Sequence, residues 1–183
     1  MTVTITEIER VRREADCLLD AAALAEALDR LAQSVSSTLA SHCPVVLCVM
    51  NGAMIPTSEL LLRLEFPLQI DYLHATRYGS ALNGGDLQWV SRPTLALAGR
   101  HVLVVDDIFD EGITLEKIVA ECHAQGAAQV ASCVLVEKLH DRKTDYRPDF
   151  VGLTVPDRYV FGFGMDYKGY LRNVNGIYAV KGT

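Results

Sequence analysis

A chain of 183 residues, half of them hydrophobic, is long enough to bury the core of one soluble domain. Its charged fraction of 22% is ordinary, which argues against disorder, and a formal net charge of -6 argues against a surface built to hold nucleic acid or anionic lipid. Five scattered cysteines with no C-x-x-C pair argue against a disulfide scaffold or a structural zinc, and point to a reducing cytoplasm.

The N-terminal stretch has no apolar run of signal-peptide length, and no run reaches transmembrane length, so no membrane is expected. Thr6 and Glu9 read as a capping box opening a helix whose apolar residues are Ile8, Val11, Ala15 and Leu18. A second helix carries the stripe Leu24, Leu28, Leu31, Val35 and Leu39. "VVLCVM" after Pro44 reads as a buried strand, "MIPTSELLLRL" as a helix and "LQIDYLHA" as an alternating strand. Residues 76–93 hold no long period and read as a long functional loop ending in a short strand at "LQWV". "HVLVVDD" is a strand, "TLEKIVAECHAQG" a helix closed by Gly126, and "VASCVLVEK" a strand. "DFVGLTV" and "RYVFGFGMD" read as further short strands. Strands alternating with helices predict an α/β fold with a parallel twisted sheet flanked by helices. The expectation is one domain, 1–183, with a core from about 40 to 140 and a small hood from about 1–20 and 141–183.

Residues 102–115, "VLVVDDIFDEGITL", run an apolar strand into four carboxylates, Asp106, Asp107, Asp110 and Glu111. In open α/β sheets ligands sit beyond the carboxyl ends of the strands. The turn 110–114 should present backbone N–H groups at a helix N-terminus, a place for phosphate. Gly112 permits close approach and Thr114 adds a hydroxyl. Asp106 and Asp107 suit sugar hydroxyls, directly or through Mg²⁺. A solvated acidic turn with Asp110 as helix cap is the commoner fate of such residues. Here the order is more specific: acid pair, two apolar residues, an acid, then Gly and Thr in alternate places. No G-x-x-x-x-G-K-[ST] run exists, the acids are not spaced D-x-D, and too little chain follows Asp106 for a receiver domain.

This run resembles the phosphoribosyl pyrophosphate (PRPP) motif of the type I phosphoribosyltransferases, and the tail resembles their bacterial hypoxanthine-guanine branch. The similarity extends from about residue 45 to 172. The resemblance implies Mg²⁺-dependent transfer of ribose 5-phosphate from PRPP to a 6-oxopurine, giving IMP or GMP and pyrophosphate. It implies that Asp106 and Asp107 hold the ribose and metal, that Asp110, Glu111, Gly112, Ile113 and Thr114 hold the 5′-phosphate, and that Asp110 is the general acid or base. In "LVEKLHDRKTDYRPDFVGLTVPDRYVFGFGMDYKGYLRN" it implies Lys138 on the exocyclic oxygen, Tyr159 stacking, Val160 on the purine edge, Asp166 near a second Mg²⁺, and Arg172 on pyrophosphate. A lysine only donates, so it selects an oxo over an amino group. "MNGA" resembles the pyrophosphate loop, with Asn51 and Gly52 as contacts and a strained or cis peptide in many relatives. "RYGS", Arg77, Tyr78, Gly79 and Ser80, resembles the lid. A homodimer or homotetramer is implied.

Three positions depart from the pattern: Asn51 where Lys or Arg is common, Glu111 where Thr or Ser is common, and Ile113 where a polar residue is frequent. A carboxylate within 4 Å of phosphate costs about 1 kcal/mol even in water, so Glu111 is expected to point away while its N–H serves the phosphate. The rivals are a nucleic-acid-binding regulator on the same fold, which would want a basic face, and a transferase for xanthine or another base.

Overall fold

The computed structural model describes residues 3–77 and 87–183. Its centre is a six-stranded sheet formed by β2 (Val45–Met50), β3 (Gln69–Arg77), β4 (Leu87–Ser91), β5 (His101–Phe109), β6 (Gln129–Leu139) and β7 (Phe150–Pro156). The strand order is β4-β3-β2-β5-β6-β7, parallel except for the antiparallel edge pair β3–β4. The chain moves outward from β2 to β3, then starts again on the other side of β2 with β5. That reversal opens a crevice beyond the carboxyl ends of β2 and β5.

The continuous apolar runs of β2 and β5 arise because both faces of the sheet are covered. Val46, Leu103 and Val105 point into one cluster with Leu24, Leu28, Leu31, Val35 and Leu39 of α2 (Ala21–Leu39). Leu60 of α3 (Met54–Leu61) joins the same cluster. Val45, Leu47, Val102 and Val104 point the other way, onto Leu115, Ile118, Val119 and Cys122 of α4 (Ile113–Ala124). The leucine stripe of α2 is therefore consumed by the core. Burial pushes the thiols of Cys122 and Cys133 up, to about 11 and about 12, so both behave as small apolar side chains.

A second, three-stranded sheet joins β1 (Asp16–Leu19), β9 (Ile177–Ala179) and β8 (Val160–Phe161) in that order. With α1 (Ile5–Glu14) it encloses a small cluster of Val11, Phe161, Tyr167 and Leu171. Three sequence expectations change here. Thr4, not Thr6, caps α1, its Oγ1 accepting from the Glu7 N–H at 3.2 Å. Both threonines are followed by Glu three residues on; Thr4 prevails, and Glu7 accepts from Tyr167 Oη at 2.9 Å and Lys168 Nζ at 2.8 Å. Leu18 continues the helical period of α1 but lies in β1, because β9 offers a strand partner. β7 extends the large sheet beside β6, although residues 141–183 read as hood.

β3 shows how the crevice edge is held. Its inward residues are Asp71 and Leu73. The buried Asp71 carboxylate accepts from the backbone N–H of Tyr72, Thr94 and Leu95 and from Thr94 Oγ1, at 2.6–3.0 Å. Burial alone would raise this acid; the hydrogen bonds outweigh it and hold the acid below its ordinary value of 3.8. A depressed folded value contributes stability above 3.8 that is lost as pH falls through it. Asp71→Asn replaces an acceptor by an amide that faces N–H groups, so it should cost about 1–3 kcal/mol at neutral pH. In thermal unfolding, the gap between wild type and variant should narrow as pH drops below 3.8. A gap that stays constant with pH would rule out the ionised carboxylate as the anchor.

Candidate active site

β5 carries the acid pair near its carboxyl end, still paired with β6, where both carboxylates border the crevice. Asp106 is buried and its Oδ1 accepts from the Asp107 N–H at 2.9 Å; Asp107 Oδ1 accepts from the Ile108 N–H at 2.9 Å. Burial raises both acids, Asp106 further because the Asp107 charge adds to it. For Asp107 the nearby Arg172 guanidinium opposes the rise.

The loop after β2 comes in against this pair. A Cβ on Gly52 would lie 1.9 Å from Asp107 Oδ2, so only glycine lets the loop backbone come this near the carboxylate. The Met50–Asn51 peptide of this loop is cis. Asn51 is exposed and Gly52 buried, and both border the crevice.

Beyond the pair, the chain turns into α4. Gly112 caps that helix at φ 88°, a left-handed conformation that favours glycine, and brings no side-chain acceptor to its N-terminus. The crevice is bordered by Asp110, Gly112, Thr114 and Leu115 on this side. Glu111 and Ile113 do not border it; the Glu111 carbonyl accepts from the Thr144 N–H at 2.8 Å.

Asp110 is held from both sides. Lys138 Nζ donates to Oδ2 at 2.8 Å, and His140 Nε2 lies 2.6 Å from Oδ1. Burial alone would raise this carboxyl; the two hydrogen bonds and the Lys138 charge outweigh it, so it stays below the ordinary carboxylate value. Sequence reasoning singled out Lys138 and missed His140. The signal was present: Lys138 and His140 are two apart at a strand end and so share one face. His74 and Thr76, at the carboxyl end of β3, also border the crevice and were missed. His74 reads only as part of an alternating strand, and Thr76 as the start of the loop 76–93, whereas β3 runs on to Arg77.

The tail closes the remaining side. Arg172 pairs with Asp166 at 2.5 Å and donates to the Gly164 carbonyl at 2.6 Å. Asp166 Oδ2 also accepts from the Gly169 N–H at 2.6 Å. Tyr159 is 44% exposed and meets Tyr167 edge-on at 5.6 Å, its backbone held by the carboxyl-terminal residues Val180 and Thr183. Val160 is buried beside it in β8.

These residues bound two adjoining cavities. The larger, about 420 Å³, is bordered by the acid pair, the Asn51–Gly52 loop, Asp110, Gly112 and Thr114 of the turn, and Arg172. The smaller, about 280 Å³, is bordered by Lys138, Tyr159, Val160 and Met165. Asp107, Ile108, Asp110 and Asp166 form a wall common to both. Of the lid residues, Tyr78, Gly79 and Ser80 lie outside the described residues; Arg77 ends β3 with its backbone opposite Leu87. No helix among the described residues is long and apolar enough to cross a membrane.

Comparison with known proteins agrees with this geometry. The hypoxanthine-guanine phosphoribosyltransferase of Cricetulus griseus is 30% identical over 165 residues, covering 85% of this chain and 76% of that protein. A solved hypoxanthine-guanine-xanthine phosphoribosyltransferase is 27% identical, with a TM-score of 0.84 over 92% of this chain and 99% of the other. A hypoxanthine-guanine phosphoribosyltransferase structure from Bacillus anthracis is 26% identical, with a TM-score of 0.85 over 90% of this chain and 98% of the other. The sequence also matches the phosphoribosyl transferase domain over residues 14–168. That match spans both strand-end loops, the acid pair and the turn into α4, and this chain belongs to the phosphoribosyltransferase family.

Proposed function

We propose that this chain transfers the ribose 5-phosphate group of PRPP to N9 of hypoxanthine or guanine, releasing pyrophosphate. The observation that carries the reading is the common wall between the two cavities. A sugar phosphate in the larger and a flat base in the smaller would meet across Asp107, Ile108, Asp110 and Asp166. The larger offers carboxylates for hydroxyls and a helix N-terminus for a phosphate. The smaller offers an aromatic ring, a buried valine and a lysine that can only donate, which suits a 6-oxopurine.

The chain's own residues divide the work. Asp106 and Asp107 would accept from the ribose hydroxyls. The amides of 110–114 and the Thr114 hydroxyl would hold the 5′-phosphate. Asn51, Gly52 and Arg172 would face the pyrophosphate, leaving Lys138 to donate to the purine oxygen. Asp110, ionised between its two donors, would accept the N7 proton. A purine bonded at N9 and protonated at N7 is cationic and far more acidic than the free base, so even a weakly basic carboxylate can take that proton.

Mg²⁺ fits the donor set. Two raised, adjacent carboxylates lie at the bottom of the crevice, and no group of three His, Cys, Asp or Glu side chains able to hold a metal occurs among the described residues. Mg²⁺ is commonly held by one or two carboxylates, with waters and substrate phosphates supplying the rest. Asp106 and Asp107 are the proposed protein contacts of one ion, and Asp166 that of a second. When bound, the ion would offset the charge developing on the leaving pyrophosphate. The proposal includes a hood built from α1 and the small sheet, a cytoplasmic setting, and self-association as a dimer or tetramer. Ile70 and Tyr72 on β3 and Val90 on β4, each about half exposed, supply apolar surface for that association.

The reading is tested by pyrophosphate release from PRPP and Mg²⁺ with hypoxanthine, guanine, xanthine and adenine in turn. Release is expected with hypoxanthine or guanine and not with adenine, whose amino group Lys138 cannot serve. No release with either 6-oxopurine would overturn it. Asp110→Asn should lower kcat by about 100-fold or more, with KM for PRPP within a few-fold. Equal turnover would remove its role. Gly52→Ala must displace the Asp107 carboxylate, since the new Cβ would sit 1.9 Å from it. It should lower kcat/KM for PRPP by roughly 10- to 100-fold while the circular dichroism spectrum stays unchanged. Wild-type kinetics in this variant would show that the position of Asp107 does not matter.

A further inference from the structure

The two groups that hold Asp110 differ in what else they must do. Lys138 borders the smaller cavity and, in the proposed reaction, turns a donor toward the purine oxygen. Its four-carbon stem is flexible, and a base entering the cavity competes with Asp110 for its ammonium group. His140 does not border that cavity. Its side chain is only 4% exposed, and both ring nitrogens are engaged. Nδ1 accepts from the Arg142 N–H at 3.1 Å. A nitrogen that accepts carries no proton, so the ring is neutral and its proton sits on Nε2, 2.6 Å from Asp110 Oδ1.

The segment that carries His140 is tied at several points. Arg142 makes a two-pronged pair with Asp157 at 2.9 and 3.1 Å. Lys143 donates to Glu137 at 2.6 Å, and the Thr144 N–H donates to the Glu111 carbonyl at 2.8 Å. The imidazole is thus fixed to the same turn that carries Asp110.

We propose that His140 is a positioning residue for phosphoribosyl transfer. Its Nε2–H keeps the Asp110 carboxylate oriented when Lys138 turns to the base, and it rests on the reaction proposed above. A neutral donor suits the task. It fixes the oxygen without adding a second full positive charge, which would weaken Asp110 further as a proton acceptor. Each carboxylate oxygen has about two lone-pair sites, so a hydrogen bond to His140 leaves capacity for the purine N7–H.

The test compares His140→Leu, which fills the space without a donor, with His140→Gln, whose amide N–H can reach the same oxygen. His140→Leu should lower kcat by about tenfold or more, with KM for PRPP and for hypoxanthine within about threefold, part of a general acid–base contribution of about 100- to 10,000-fold. His140→Gln should return kcat to within about threefold of wild type. A fully active leucine variant, or a glutamine variant as slow as the leucine one, would overturn the proposal. So would a leucine variant whose loss falls mainly on KM. Imidazole ¹⁵N spectra supply a readout independent of turnover, and in the unmodified protein independent of how the His140 variants fold. They should show His140 as the Nε2–H tautomer, with its proton resonance moving upfield in Asp110→Asn. The Nδ1–H tautomer, or no change in Asp110→Asn, would overturn the proposal. Wild-type protein inactive on every base, with the Nε2–H signature intact, would instead remove the reaction and, with it, the catalytic part of the proposal.

Discussion

The site depends on one close approach. The Asp107 carboxylate occupies the volume where any side chain at residue 52 would begin. The loop after β2 and the end of β5, on either side of the topological switch, are thereby brought into contact. That contact has an electrostatic cost, because it buries a carboxylate beside another buried carboxylate. Arg172 offsets part of it for Asp107. The same guanidinium is committed to Asp166 and the Gly164 carbonyl. The tail therefore does more than cover the crevice: it carries a charge that eases the burial of Asp107.

The coupling runs back to the first helix. Glu7 of α1 accepts from Tyr167 and Lys168, in the tail segment between Asp166 and Arg172. Residues at opposite ends of the chain thus share the work of placing two site residues. Surface pairs of this kind are worth little singly. The tail is held instead by the small apolar cluster around Phe161 and by the pairing of β9 with both β1 and β8.

Much of this was legible in the sequence, for identifiable reasons. The large sheet was readable because β2 and the first half of β5 carry unbroken apolar runs, Val45–Met50 and residues 102–105, which only a doubly covered strand requires. The leucine stripe of α2 was readable because its buried side runs without a break from Leu24 to Leu39. The acid pair was readable because a strand end followed by a glycine turn is a local pattern. What escaped reading was whatever depended on a distant partner. β1 is strand only because β9 lies beside it, and three-residue β9 carries no signal of its own. The α1 cap shifted by two residues within a sequence offering two equal caps. His140 escaped because a histidine after a strand means little until its neighbour across the turn is known. The cavity-lining role of His74 and Thr76 likewise exists only once β2 and β3 are paired.

The carboxylates of residues 106–111 have been driven into unlike environments by a few ångströms of backbone. Burial lifts both Asp106 and Asp107, and the Asp107 charge lifts Asp106 further, so that pair favours a counter-charge brought in by a ligand or cation. Asp110, a turn further on, is lowered by donors the protein itself supplies, so it stays ionised without a ligand. Separating the environments of neighbouring acids is how one site assigns binding to some and proton transfer to another. In this chain the separation is produced by where β5 stops. The acid pair is still inside the sheet's edge, and the third acid has turned out to meet the end of β6. A one-residue slip in the register of β5 would reverse the faces of the side chains it presents, so the division of roles is a consequence of register as much as of residue type.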